Sequence, residues 1–345
     1  MPALATGSAV QRSSASRQLA QARALIDPIL RNAVATLPPP LDVMTGYHFG
    51  WFDSQGRVAS NPPGKALRPA LTVAAAHACG GAPADVAHAA SAVELLHNFS
   101  LVHDDIVDAD PIRHGRPTVW TVWGAPNAIL VGDTLHALAA KVLVAGAPAG
   151  AITESALRLA DAIIELCRGQ HLDCAFETRS EVTVGDYLSM SMGKTGALMG
   201  CACALGALTA GADAATVQAM DAFGRAVGIG FQLVDDVIGI WGDPALTGKP
   251  AGSDLARRKW TFPVVRVLSS GSVEAGHLAR LYRAREPMSP ADVAAATRLL
   301  DAAGGAEPTL HYAAQRVAAA FESLPAYSGS AELQALAHRV AHRDR

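Results

Sequence analysis

The chain has 345 residues, half of them apolar, and a formal net charge of −3. This length is enough to bury a large core in one big domain or two ordinary ones. A net charge near zero argues against nucleic-acid binding and against a polybasic membrane anchor. The five cysteines are scattered and form no CxxC pair, which indicates buried thiols in a reducing compartment, not a disulfide framework or a zinc site.

Apolar residues recur at helical spacing along most of the chain, whereas alternating β-branched runs are nearly absent. Residues 1–20 are predicted to be a flexible tail. No later break is long or polar enough for a linker, so residues 21–345 are predicted to form a single all-α domain of about ten to thirteen helices. The ten clearest predicted helices cover residues 16–35, 65–80, 84–108, 126–146, 150–178, 193–211, 214–240, 259–270, 288–303 and 306–323.

One uncharged run, residues 195–212, has nearly the length of a membrane span. Its many Gly, Ala and Thr residues lower its hydrophobicity, and it follows a lysine in a polar motif. We therefore predict a buried central helix there and no stable membrane insertion.

The predicted helix over 84–108 ends in an acidic cluster. Asp104 and Asp108 are one turn apart, so both carboxylates leave the same face, and Asp105 adds to their repulsion. Such a cluster destabilises a helix unless a cation neutralises it. Oxygen ligands without His or Cys suit a hard ion, Mg²⁺ first and Mn²⁺ next.

A second acidic pair, Asp235 and Asp236, lies in the apolar helical run over 214–240. One turn after Asp235 stands Gly239, so this cluster offers fewer carboxylates than the first. A solvated helix end would explain either cluster alone. Two acidic pairs inside hydrophobic helices are better explained by a shared function.

Lysine is rare in this chain, with five lysines against 23 arginines. Lys65, Lys194, Lys249 and Lys259 each lie in a short motif beside Gly, Thr or Trp. An ammonium group is a compact charge that suits a phosphate. Lysines together with metal-binding acids predict a diphosphate bridged by Mg²⁺.

With these motifs the chain resembles the trans-polyprenyl diphosphate synthase family over about residues 45–345, and it is most similar to short-chain bacterial geranylgeranyl and farnesyl diphosphate synthases. The blocks that carry the resemblance follow the family's order: GKALRP, ELLHNFSLVHDDIVD, RHGRPT, Gly132-Asp133, Gly169-Gln170 with Asp173, KTGAL, GFQLVDD and GKPAGSDLARRKWTFP. The resemblance implies a bundle of isoprenoid synthase type around a central active-site cavity. It also implies condensation of isopentenyl diphosphate with an allylic diphosphate (dimethylallyl, geranyl or farnesyl).

The resemblance also implies roles for individual residues. Asp104 and Asp108 would bind two Mg²⁺ ions and Asp235 a third, with Asp105 and Asp236 as supporting acids. Thr195 and Gln232 would direct oxygen dipoles at the developing allylic cation. Two sets of residues would bind the substrates: Arg113, Lys194 and Lys259 the allylic diphosphate, and Lys65, Arg68 and His97 the isopentenyl diphosphate.

Two departures from the family pattern concern the second substrate and the second metal cluster. The family usually has an arginine that serves isopentenyl diphosphate where this chain has His114, and a histidine there binds more weakly and depends on pH. Arg116 is a candidate replacement at a different position. Gly239 stands where the family has the last aspartate of its second motif.

The chain-length prediction depends on the helix that carries Asp104. Phe99 and Ser100 lie about one turn before Asp104, where Phe99 would narrow the pocket and Ser100 would leave room. Within the family, an aromatic followed by a small residue here resembles geranylgeranyl synthases, so we predict a C20 product, with farnesyl diphosphate (C15) as the alternative.

Two further alternatives stay open from the sequence. One is a terpene cyclase on the same scaffold, an alternative supported by the two departures at His114 and Gly239. The residues Lys65, Arg68 and His97 favour the transferase instead. The other is a non-catalytic subunit of a heteromeric synthase. From the family we also expect a homodimer, located in the cytoplasm.

Overall fold

The computed structural model describes residues 9–59, 64–244, 251–283, 288–324 and 330–341, with the backbone alone for residues 9–12 and 330. Lys249 lies outside these residues. The described chain is helical, apart from one two-stranded hairpin and an isolated bridge. The α-helices are α1 (Ala9–Ala35), α2 (Leu41–His48), α3 (Leu67–Ala78), α4 (Pro83–Val107), α5 (Val119–Trp123), α6 (Ala125–Gly146), α7 (Ile152–Phe176), α8 (Val184–Ser191), α9 (Ala197–Thr209), α10 (Ala214–Trp241), α11 (Ser253–Ala256), α12 (Phe262–Leu268), α13 (Val273–Arg283), α14 (Pro290–Ala302), α15 (Ala306–Glu322) and α16 (Ser330–Ala341).

This architecture confirms the all-α prediction, and each of the ten predicted helices has a counterpart with bounds that differ by a few residues, except that the first begins earlier and residues 193–196 form a π-helical turn. The described residues contain more helices than expected, sixteen α-helices in place of ten to thirteen. The additional ones have 4 to 12 residues. Such short segments hold too few turns for a clear apolar period.

The first helix also differs from the expected tail over residues 1–20. Helix α1 begins at Ala9. Ala15, Ala22 and Ile26 are buried on one face, where α1 packs against α3, α4 and α16. Burial of this face stabilises a segment whose small residues gave no strong helical signal on their own.

Helix α9 forms the centre of the molecule. It packs against α3, α4, α7 and α10, and every residue from Ala197 to Ala207 is buried. The uncharged run is therefore a core helix, as predicted. Another helix, α6, is long and apolar enough to cross a membrane by length and composition, with 44% of its most apolar window buried, and it packs along α4.

Candidate active site

A cavity of about 1090 Å³ opens between α4, α10 and the turn before α9. Its size is at the upper end of ordinary ligand pockets. Most sequence-predicted site residues line it, and Phe99 is the exception. The lining residues among them are Lys65, Arg68, His97, Ser100, Asp104, Asp105, Asp108, Arg113, His114, Lys194, Thr195, Gln232, Asp235, Asp236 and Lys259.

The carboxylates of α4 meet cations across the cavity. The Lys259 ammonium lies 3.4 Å from Asp108. Burial raises the pKa of Asp104, against the opposing effect of Lys194. Arg113 Nε donates to Asp105 over 2.6 Å. Burial nevertheless raises the pKa of Asp105 to about 6. The cluster is thus charge-compensated by residues from other elements.

Lys194 and Thr195 enter the cavity from the π-helical turn Met192–Gly196, which connects α8 to α9. Single π turns inside helices often occur at functional sites. Helix α7 approaches this turn so closely that a Cβ on Gly169 would lie 2.1 Å from the backbone nitrogen of Lys194. One turn later on α7, Asp173 accepts a 2.5 Å hydrogen bond from Lys194. Burial alone would lower the pKa of Lys194, but Asp173 and Asp104 outweigh it and raise the pKa.

The two aspartates of α10 have different surroundings. Asp236 is buried and accepts hydrogen bonds from the Tyr187 hydroxyl (2.5 Å), the Phe262 backbone N–H (2.7 Å) and the Gln232 amide (2.9 Å). Burial outweighs these bonds and raises its pKa to about 7. Thr195 in turn donates to the Gln232 oxygen over 2.9 Å. Both aspartates line the cavity, but Asp236 is buried and orients Gln232 and Thr195, whereas Asp235 is exposed.

Gly239 faces a carboxylate from another element. A Cβ on Gly239 would lie 2.0 Å from Asp254 Oδ2, at the start of α11. Both residues line the cavity. The acid that α10 lacks at this position is thus matched in space by Asp254.

A second part of the cavity lining carries basic residues. Arg68 Nη1 donates to His97 Nε2 over 3.1 Å, so the proton of the neutral imidazole is on Nδ1. Burial, followed by the Arg68 charge, lowers the pKa of His97 well below its usual value. Burial also lowers the pKa of Arg68 to about 10. Arg68 Nε and His97 Nδ1 are buried and have no protein hydrogen-bond partner among the described residues.

A β-hairpin, β1 (Ile112–Arg113) and β2 (Arg116–Pro117), holds the next basic residues. His114 and Gly115 form its two-residue turn with φ of 51° and 73°, the backbone that tight hairpins require. Arg113 and Arg116 are therefore cross-strand partners, and both line the cavity. Arg116 lies over the Tyr47 ring and donates to the His48 carbonyl.

The two chain-length candidates face different directions. Ser100 lines the cavity. Phe99 is buried, with its ring 4.8 Å from that of His103 and 5.5 Å from that of His136. Phe99 thus lies behind the cavity wall, in the contact of α4 with α6.

The acidic residues fit a hard divalent cation by their chemistry, since the described residues of the cavity lining offer carboxylates and no cysteine. Within the described ranges, no three His, Cys, Asp or Glu side chains converge into a preformed metal site. Protein oxygens alone would therefore leave coordination positions for ligand oxygens.

Sequence reasoning missed several cavity residues. Asp173 was noted only within a family block and given no role, but it pairs with Lys194. Arg23, His48, Glu94 and Tyr187 also line the cavity and belong to none of the roles inferred from the motifs. Glu94 gave one usable signal, a lone acid in an apolar helical run.

Comparisons with known proteins agree with this geometry. The profile of the Polyprenyl synthetase family matches residues 50–300. Geranylgeranyl diphosphate synthase of Mycobacterium tuberculosis (strain ATCC 25618 / H37Rv) is 48% identical over 94% of this chain and 93% of that protein. The (2E,6E)-farnesyl diphosphate synthase of the same strain is 41% identical over 94% and 92%. A crystal structure of polyprenyl synthetase from Streptomyces coelicolor A3(2) superposes with a TM-score of 0.89, at 41% identity, over 94% of this chain and 98% of that one.

Proposed function

Because this chain belongs to the polyprenyl synthetase family and is a prenyltransferase, we propose that it condenses isopentenyl diphosphate with an allylic diphosphate to give geranylgeranyl diphosphate. The observation that carries the proposal is one cavity with an acidic wall on α4 and α10 and a basic wall around Arg68. The family uses divalent metal ions and these two substrate classes. The arrangement suits two diphosphates, one bound through cations and one bound directly by basic groups.

The acidic wall is proposed to bind the allylic diphosphate. Asp104, Asp108 and Asp235 would hold up to three Mg²⁺ ions, with Mn²⁺ as a possible substitute. When bound, these ions stabilise the negative charge that develops on the departing diphosphate. Asp105 would support the site by orienting Arg113, and Asp236 by orienting Gln232.

Three basic side chains beside the acidic wall would also contact the allylic diphosphate. Without a ligand, each is paired with a carboxylate: Lys194 with Asp173, Lys259 with Asp108 and Arg113 with Asp105. Metal binding to Asp108 would free Lys259 for phosphate oxygens. Lys194 and Arg113 carry further N–H groups that can donate to phosphate while their carboxylate pairs persist. The Thr195 and Gln232 oxygens, coupled by their hydrogen bond, would stabilise the allylic cation.

Asp254 is proposed to supply the carboxylate missing at Gly239. Its oxygen lies where a side chain at that position would begin. The second acidic cluster would then consist of Asp235, Asp236 and Asp254, contributed by two elements.

The basic wall is proposed to bind isopentenyl diphosphate through Lys65, Arg68 and His97. A diphosphate there would give the buried Arg68 Nε and His97 Nδ1 groups acceptors. His114 is the further candidate, and Arg116, directly across the hairpin from Arg113, would supply the guanidinium that His114 lacks.

The C20 product is proposed over C15 because the 48%-identical relative is a geranylgeranyl diphosphate synthase. Phe99 would limit the chain from behind Ser100. We expect Phe99→Ala to lengthen the product, as measured by chromatography of the dephosphorylated prenols. An unchanged product distribution would contradict this assignment.

We also propose a cytoplasmic homodimer. Large apolar side chains are exposed on neighbouring helices: Ile129, Leu130 and Val144 on α6, and Leu157 and Ile164 on α7. Such a patch is typical of an interface. Light scattering should give the mass of two chains, and Ile164→Glu should shift it to one. Membrane association would instead appear as co-sedimentation with vesicles.

The deciding experiment supplies purified protein with Mg²⁺, farnesyl diphosphate and labelled isopentenyl diphosphate. Labelled geranylgeranyl diphosphate supports the proposal. An unlabelled hydrocarbon or alcohol would indicate a terpene cyclase. No turnover with any allylic substrate would indicate a non-catalytic subunit.

A further inference from the structure

Arg23 extends from α1 into the cavity, next to the basic wall. Among the described side chains of α1, it is the charged one that lines the main cavity, and it precedes the residues matched to the family. Its guanidinium side chain is 18% exposed. A long charged side chain so deeply covered needs specific partners.

Two such partners are present. Arg23 Nη2 donates to the Gly64 carbonyl oxygen over 2.5 Å. The same nitrogen lies 3.4 Å from Glu94 Oε1 on α4. Gly64 directly precedes Lys65, so Arg23 connects α1 to the backbone that carries this lysine.

Glu94 is the acid that balances this part of the basic wall. It is 5% exposed and lines the cavity within an apolar stretch of α4. Burial raises its pKa, whereas the charges of Arg23 and Arg68 oppose the rise. A buried carboxylate is retained when it is paired, and here its ion-pair partner is Arg23, with the charge of Arg68 also acting on it.

We propose that Arg23, held by Glu94, is a positioning residue for the isopentenyl diphosphate site. It fixes the Gly64 carbonyl and thereby the direction in which Lys65 enters the cavity. Glu94 acts from the other side by keeping Arg23 and Arg68 at a fixed separation. Arg23 Nε is buried and has no protein partner in the described part of the chain. This inference rests on the proposed function, because it assigns the basic wall to isopentenyl diphosphate.

The same helix offers a matched control. Arg31 lies two turns after Arg23, pairs with Asp27 over 2.7 Å and stacks on the Trp51 ring at 4.6 Å. Its side chain is 52% exposed and does not line the main cavity. Arg31→Gln removes the same charge from α1 without touching Gly64 or Glu94.

The test measures isopentenyl diphosphate binding by calorimetry without metal or allylic substrate, and KM for both substrates during turnover. Arg23→Gln should weaken isopentenyl diphosphate binding and raise its KM about tenfold, because Lys65 loses its fixed position. The KM of the allylic diphosphate should change less than twofold, and Arg31→Gln should match the wild type. Glu94→Gln should also weaken isopentenyl diphosphate binding. The double variant Arg23→Gln with Glu94→Gln should bind as well as the single variant with the lower affinity, because the two residues act as one unit.

Equal increases in both KM values, or an equal effect of Arg31→Gln, would overturn the inference, since a general loss of stability acts on both sites. Melting temperatures identify an unfolded variant. If Arg23→Gln does not fold, Arg23→Lys and Glu94→Gln serve instead, and unchanged binding in both folded variants overturns the inference. A wild-type protein that binds isopentenyl diphosphate but extends no allylic substrate would refute the proposed function and leave the positioning role standing.

Discussion

The two walls of the cavity balance their charges differently. On the acidic wall, Asp105 and Asp108 each pair with a basic residue from another element, and Asp173 on the neighbouring α7 pairs with Lys194. On the basic wall, Arg68 donates to His97, and both keep a buried nitrogen without a protein partner among the residues that the structure describes. The acidic wall is therefore compensated before any ligand binds. The basic wall is complete only when an anion arrives, so it should respond more strongly to its ligand.

The largest effect should come from the acidic wall. Asp104→Ala is expected to lower kcat by about 10³-fold, because a carboxylate for the divalent cations is lost. The melting temperature should stay or rise, since burial disfavours the charge of this carboxylate and raises its pKa despite the attraction of Lys194. The control is Asp133→Ala on α6, whose aspartate is 64% exposed and lies outside the cavity lining. A wild-type kcat in Asp104→Ala would refute the metal assignment.

The two walls should separate in substrate specificity. Arg68→Gln is expected to raise the KM of isopentenyl diphosphate roughly 10- to 100-fold, the range for a lost charged hydrogen-bonding group. Lys259→Gln should instead raise the KM of the allylic diphosphate. Steady-state kinetics with each substrate varied in turn measures both. If the two variants affect the same substrate, the division into two walls is wrong.

Within the acidic wall, Gly239 and Asp254 test whether the second cluster is complete. Gly239→Asp should lower kcat/KM by about tenfold, because its Cβ meets Asp254 and crowding in a packed site costs about 1–3 kcal/mol. The double variant Gly239→Asp with Asp254→Gly should recover most of the loss. Higher activity in Gly239→Asp alone would mean that the cluster lacks an acid.

The basic wall should also make stability depend on pH. His48 lines this wall, bonded to Asn98 over 3.0 Å. Burial, then Arg113, lowers its pKa to about 3. The unfolded chain therefore binds a proton that the folded chain does not, and between about pH 6.5 and pH 3 stability falls as the pH falls.

The contribution of His48 to the slope of the unfolding free energy against pH should approach about 1.4 kcal/mol per pH unit. Urea unfolding at pH 7 and pH 5 in EDTA should show that His48→Gln, which keeps a partner for Asn98, reduces the difference. A slope identical to that of the wild type would mean that His48 is protonated in the fold.

The sequence predicted the parts of the site that lie on single helices. Asp104 and Asp108 share a face because helical spacing fixes it, and the long helices followed from their apolar period. The partners of these residues could not be predicted in the same way. Asp254 meets Gly239, Arg23 meets Gly64 and Tyr187 meets Asp236 only through packing between distant segments. Phe99 was assigned to the right helix, but the orientation of its ring depends on α6.

The close approach of α7 to the turn that carries Lys194 has a consequence for mutational tolerance. Gly169 contributes no charge and no hydrogen-bonding side chain. A single methyl group there would nevertheless lie 2.1 Å from the backbone nitrogen of Lys194. The substitution that is mildest elsewhere, glycine to alanine, becomes one of the harshest in this helix. In a scan of all substitutions, Gly169 should therefore tolerate as few replacements as Lys194.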